Sequence, residues 1–191
     1  NLDASSLLSY PTTESKWYDL SKDNNNITLL NGAEFDNKSI IFDGTDTDAV
    51  VSFSEISSDS GSIEVIFEKK DNVANEFLFA KVGASTNRYY LRQTGTNMDA
   101  VRGNPLTSAQ FDTPDLNKFT HLVMTWDKDT IYAYTNAQLN DSTSYTNPGT
   151  NISDGQLGGG PGGNIQMSLS KFKMYDKTLS LDEINQNYYG G

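Results

Sequence analysis

Glu64 and Glu68, four positions apart in the run Gly61-Ser-Ile-Glu-Val-Ile-Phe-Glu68, are the residues nearest in kind to a glycosidase pair. At about 3.3 Å per residue they would stand roughly 13 Å apart on one strand face, whereas retaining chemistry needs about 5 Å and inverting chemistry about 6.5–9.5 Å. They are therefore read as solvent-facing strand carboxylates. His121 is the single histidine, alternating with Phe119, Val123 and Thr125 on one face. A hydrolytic triad built on it would need a nucleophile motif such as Gly-x-Ser-x-Gly, which the chain lacks. A hydrogen-bonded structural role is assigned to it instead. The absence of cysteine removes disulfides, thiolate zinc sites and cysteine nucleophiles together.

Binding chemistry has more candidates. Asp43, Asp46 and Asp48 crowd a glycine-containing turn, and oxygen-rich loops of this sort hold calcium. Their spacing departs from an EF-hand loop, so a solvated turn is the competing reading. Trp17, Tyr18, Tyr89, Tyr90 and Trp126 offer rings that could stack on sugars. Strand alternation sends one of Tyr89 and Tyr90 inward and the other outward. Arg88 and Arg92 share a face with Tyr90, so Arg88, Tyr90 and Arg92 form the expected exposed ligand patch. The Gly155–Gly163 stretch lacks the Gly-Lys-Ser/Thr ending of a phosphate loop and no helix follows it, which leaves a tightly packed loop. Sequons at Asn26, Asn37, Asn140 and Asn151 are what an Asn-rich composition yields by chance.

These residues have to be positioned by strands. Period-two alternation recurs in short runs separated by Gly, Asn, Asp and Ser clusters. Strands are expected at Ser39–Phe42, Ala49–Phe53, Gly61–Glu68, Glu76–Val82, Arg88–Gln93, Met98–Arg102, Thr120–Trp126, Ile131–Thr135 and Gln166–Tyr175. Thr120–Trp126 and Ile131–Thr135 form a hairpin across Asp127-Lys-Asp-Thr130. One short helix is signalled near the end, where Ser180 and Glu183 make a capping box, Leu181, Ile184 and Tyr188 share a face, and Gly190 supplies the stop.

Composition agrees with one globular core. The 191 residues are 36% hydrophobic and 11% aromatic, enough bulk for a real interior. No stretch approaches the ~18 apolar residues of a membrane span. The net charge of -11, with scattered Lys and Arg, disfavours nucleic acid as a partner, because phosphate binding needs basic patches.

The segments Leu2-Asp-Ala-Ser5, Ser9-Tyr-Pro11 and Trp17-Tyr-Asp-Leu-Ser21, then an Asn-rich turn and Leu30-Asn-Gly32, resemble the opening of laminin-G-like (concanavalin A-like) domains. Phe42-Asp-Gly-Thr-Asp46 resembles that family's Phe-Asp-Gly turn. Phe172-Lys-Met-Tyr-Asp-Lys-Thr-Leu-Ser180 with Glu183, Ile184, Asn187 and Tyr188 is similar to its closing strand and helix. The resemblance implies an all-β antiparallel two-sheet jelly-roll sandwich with one short C-terminal helix, a single domain over 1–191 excised or processed from a longer chain. It implies pairing of the first and last strands and a packing role for Trp17. An upstream segment is expected to complete the first strand.

The opening is also similar to domains in virion structural proteins of tailed bacteriophages, especially marine ones. The expected function is thus a non-catalytic extracellular or virion-surface module for carbohydrate binding, adhesion or particle assembly. Its expected partners are a glycan or other virion or surface proteins, with no nucleic acid, no membrane and homo-oligomers allowed. A purely structural decoration domain and an accessory domain of a secreted glycosidase are the alternatives. Two departures from the family's pattern stand out. Leu169-Ser170-Lys171-Phe172 lacks the acidic residue common at the start of the closing strand, which weakens any metal site. Asn136-Ala137 replaces the usual Asn-Gly turn.

Overall fold

The structure, a computed structural model, describes residues 1–11, 15–36, 38–81 and 88–190. Val82 of one expected strand and the Asn37 sequon lie outside them.

Two eight-stranded antiparallel sheets face each other. The first runs in the order β14 (Gln138–Ser144), β13 (Thr130–Thr135), β12 (Phe119–Trp126), β7 (Gly61–Lys69), β16 (Gln166–Tyr175), β5 (Ser39–Asp43), β4 (Glu34–Asp36), with β1 (Leu2–Asp3) also on β16. The second runs β11 (Thr107–Gln110), β10 (Asn97–Arg102), β9 (Tyr89–Thr94), β8 (Ala74–Lys81), β15 (Ile152–Leu157), β6 (Asp48–Ile56), β3 (Ile27–Leu30), β2 (Lys16–Trp17). Helix α1 (Leu181–Gly190) closes the chain. This is the expected jelly-roll sandwich with its single short C-terminal helix.

Alternation explains the core. Ile63, Val65 and Phe67 of β7 and Leu122, Met124 and Trp126 of β12 point between the sheets and are fully buried. The hairpin pairs Leu122 with Thr135 and Trp126 with Ile131, as expected. The first and last strands also pair as expected, Leu2 with Phe172 and Asp3 with Lys171, and the Ala4 N–H donates to Ser170 O at 2.8 Å. Trp17 is buried in the same core. Close approach fixes Gly61, where a Cβ would overlap the Trp126 indole.

A charge caged by rings sits inside this core. The fully buried Arg102 guanidinium lies 4.3 Å from the Tyr89 ring centre, 4.8 Å from Trp126 and 4.7 Å from Tyr145, and it donates to Ser58 O. Ring faces carry the negative end of the quadrupole, so this cage offsets part of the lost hydration. Burial still pushes Arg102 down to about 10, against the pull of Tyr89, Tyr145 and Asp59.

The strands β2, β3, β4, β11, β14 and β15 are not among the expected ones. Gln138–Ser144 and Ile152–Leu157 are polar or contain Asp-Gly, and neighbouring strands hold them extended where their own alternation is weak.

The capping box is present, with Glu183 N–H donating to Ser180 Oγ at 3.3 Å and Ser180 N–H donating to Glu183 Oε2 at 2.9 Å. Helix α1 lies on the outer face of the first sheet, burying Ile184 against Val123, Ala137 and Leu179. The expected apolar face needs one correction. Leu181 is exposed and Leu179, just before the helix, fills its place, because the chain turns onto the sheet there.

Candidate functional site

The outer face of the first sheet determines what Glu64 and His121 do. Glu64 is fully buried, not solvent-facing, because α1 covers this face. Its Oε1 accepts from Lys173 Nζ at 3.0 Å, and its Oε2 accepts from Tyr175 Oη at 2.8 Å and Asn187 Nδ2 at 2.7 Å. His121 Nε2 lies 3.3 Å from Oε1 with poor hydrogen-bond alignment. Burial alone would raise the Glu64 carboxyl, but His121, Lys173 and Tyr175 outweigh it and hold it down to about 2. A carboxylate so held, with both oxygens engaged, anchors the helix and is a poor proton donor. Glu68 pairs instead with Lys70 at 2.7 Å.

Glu76 is shifted the other way. Burial first, then Asp71, pushes its carboxyl up to about 7. The Gln93 amide spans the two, 2.9 Å from Asp71 Oδ1 and 3.4 Å from Glu76 Oε2. Gln93 is wholly buried and Glu76 nearly so, while Asp71 is half-buried at the edge of the contact.

The expected exposed patch is corrected by burial. Tyr90 is 3% exposed, its ring 5.1 Å from Phe77 at 75°, in a cluster with Ala80 and Val101. The glycine-rich segment is the cause, since Gly160 lies against Phe77 so closely that a Cβ there would stand 2.6 Å from the ring. Arg92 Nη2 is tied to Asp99 at 3.2 Å, and Arg88 Nε is buried without a hydrogen-bond partner. Tyr89 points inward and contacts Trp126 at 5.2 Å.

Asp43, Asp46 and Asp48 do not converge. Asp43 Oδ1 accepts the N–H groups of Thr45, Asp46 and Thr47 at 2.8, 3.3 and 3.2 Å, closing its own turn. Those backbone donors, Thr45 foremost, hold the Asp43 carboxyl below the usual range. Asp48 accepts from Gln156 across the sheet. Among the described residues no group of three or more His, Asp or Glu is placed to hold a metal.

The aromatic rings that stay exposed were not among the sequence candidates. Tyr189, 79% exposed, and Phe119, 52% exposed, rim a groove of about 390 Å³ at the end of the first sheet. Its walls include Asp112, Asp115, Asn136 and Gln138. Each element has a local reason for its position. Asn136 and Ala137 turn the β13–β14 hairpin with φ of 50° and 63°. Asn136 Oδ1 accepts the His121 N–H at 3.1 Å, and Asp112 N–H donates to Thr135 Oγ1 at 3.1 Å. Tyr188 stacks on His121 at 5.5 Å and meets Tyr189 edge-on at 4.8 Å, so the buried histidine seats the helix end that carries the exposed ring. Asp115 and Lys118 form an exposed pair at 2.7 Å, which lowers the Asp115 carboxyl. Rings on a rim beside planar carboxylates and carboxamides suit a ligand with apolar C–H faces and many hydroxyls. The available signals were the Tyr188-Tyr189 doublet and Phe119 on the outward side of its strand.

The model of the concanavalin A-like lectin/glucanases superfamily matches residues 32–185. No curated protein sequence matches the chain. Among solved structures, the botulinum neurotoxin serotype D binding domain is similar, with a TM-score of 0.77 at 18% identity over 91% of this chain and 49% of that one. The binding domain of botulinum neurotoxin DC is similar in complex with SialylT (TM-score 0.77, 14% identity, 91% and 48%). It is also similar in complex with rat synaptotagmin II (TM-score 0.75, 17% identity, 91% and 49%). The chain spans about half the length of these toxin chains, and at such identities the likeness is one of fold. With a family match over most of its length and the two-sheet architecture to go with it, the chain belongs to the concanavalin A-like lectin/glucanase superfamily.

Proposed function

We propose that this chain is a non-catalytic carbohydrate-binding or adhesion module working outside the cell or on a virion surface, and that the Phe119–Tyr189 groove receives the sugar. The observation that carries the proposal is the pair of exposed rings beside a mostly polar lining that includes Asp112, Asp115, Lys118, Asn136 and Gln138. A non-catalytic role accords with the state of the acids, since Glu64 is locked by its donors and Asp71 and Glu76 meet around a buried amide. The similar toxin binding domains, one in complex with SialylT, are in keeping with a recognition role. Among the described residues no helix is long and apolar enough to cross a membrane. Glycan or surface-protein partners, and assembly into a particle, belong to the same proposal.

A glycan array with and without calcium tests it. Saturable binding to a sugar class is expected, and Tyr189→Ala should weaken it roughly fivefold, the equivalent of about 1 kcal/mol for a stacked ring. No saturable binding in either condition would favour a ligand-free decoration domain. Binding untouched by Tyr189→Ala and Phe119→Ala would move the site elsewhere, and hydrolysis of a polysaccharide panel would overturn the non-catalytic reading.

A further inference from the structure

We infer that the open edge of β6 is a docking lane for an extended peptide with basic side chains, which adds to the second sheet as a further strand. β15 flanks β6 as far as Ile56 on one side, whereas β3 pairs with it on the other only over Asp48–Val50. Ser52–Ile56 therefore runs on with no strand partner on that side among the described residues. The segment before β3 lies beside this edge without joining it as a strand, with Lys22, Asp23 and Asn25 close to Phe53–Ile56. Asp19 N–H donates to Asn26 Oδ1 at 2.8 Å, and Asp19 Oδ2 accepts the Asn25 N–H at 2.9 Å, curling the segment before β3 onto itself.

Beside this edge lies a cleft of about 400 Å³ that reaches across to the end of β16. Phe53 and Met174, both half-buried on the core, give it an apolar lining together with Ile56 and Tyr175. Asp23, Glu55 and Asp176 line it against a single cation, Lys22. Native sheets normally pair or cover such an edge, and an added strand gains main-chain hydrogen bonds while alternate side chains enter the neighbouring pocket. The acidic excess selects basic side chains on the entering strand. It also disfavours a second copy, because edge-to-edge docking would bring the same acidic set together on two chains of net charge -11 each.

The test uses residues 1–191 and an acetylated, amidated heptapeptide alternating lysine and valine. Two control peptides carry glutamate in place of lysine, or N-methyl groups on alternate backbone amides. Binding is followed by NMR shifts and amide exchange. Saturable binding of the lysine peptide is expected, with those Ser52–Ile56 amides that exchange freely slowed by roughly tenfold or more. Both control peptides should lose it, and Glu55→Gln with Asp176→Asn should weaken it at least about threefold. No saturable binding, equal binding of all three peptides, or shifts confined to the Tyr189 groove would each overturn the inference. Glycan binding by the separate groove stands or falls independently.

Discussion

Glu76→Gln should flatten the pH dependence of stability between about pH 4.5 and 7. The Glu76 carboxyl is raised by burial, then by Asp71, from 4.5 to about 7. The folded chain thus keeps a proton over a window in which the unfolded chain has released it. Stability is greatest below the unfolded value and falls as pH rises through the folded one. At about 1.4 kcal/mol per pH unit, the full shift amounts to roughly 3 kcal/mol lost by pH 8. Glutamine keeps the shape and cannot ionise. The variant should match the parent near pH 4.5 and exceed it by up to ~3 kcal/mol at pH 8. Asp19 and Glu64, both held down to about 2, act below this window and leave it clear. Urea unfolding in steps from pH 4.5 to 8, read by tryptophan fluorescence, measures the slope. Parallel curves for parent and variant would show that burial and Asp71 impose no such protonation on Glu76.

Trp17→Ala should cost about 3–5 kcal/mol, because the ring is fully buried between the sheets. Unchanged melting with lost ligand binding would reassign Trp17 from packing to recognition. Gly61→Ala should cost about 1–3 kcal/mol and shift Trp126 emission, since the added methyl overlaps the indole of a ring with no room to retreat. A melting temperature within error of the parent would refute that close contact.

The buried network beneath α1 bears on the groove. Glu64 reaches the helix through Asn187, and His121 reaches it through the Tyr188 ring. These contacts bring a C-terminal element, and the exposed Tyr189 it carries, to the start of β12. Half-satisfied polar groups in such a place would destabilise the fold, so the helix and the network depend on each other.

Much of the architecture was legible in the residues. Alternation in Gly61–Glu68 and Thr120–Trp126 specified strands with one apolar face, and Ser180 with Glu183 specified where the helix starts, because backbone geometry and capping are local. The polar strands Gln138–Ser144 and Ile152–Leu157 were not legible, since their extension comes from the ladders beside them. The sites were less legible still. Tyr90 has the type and position of an exposed ligand contact, and a segment some seventy residues later covers its face of the sheet. Glu64 has the type of an exposed strand carboxylate, and a helix more than a hundred residues later buries it. Local sequence determined which side of each strand a residue occupies. Only the tertiary structure decided which of those sides meets water, because burial depends on long-range closure of the chain over the sheet, a contact that no period or spacing encodes.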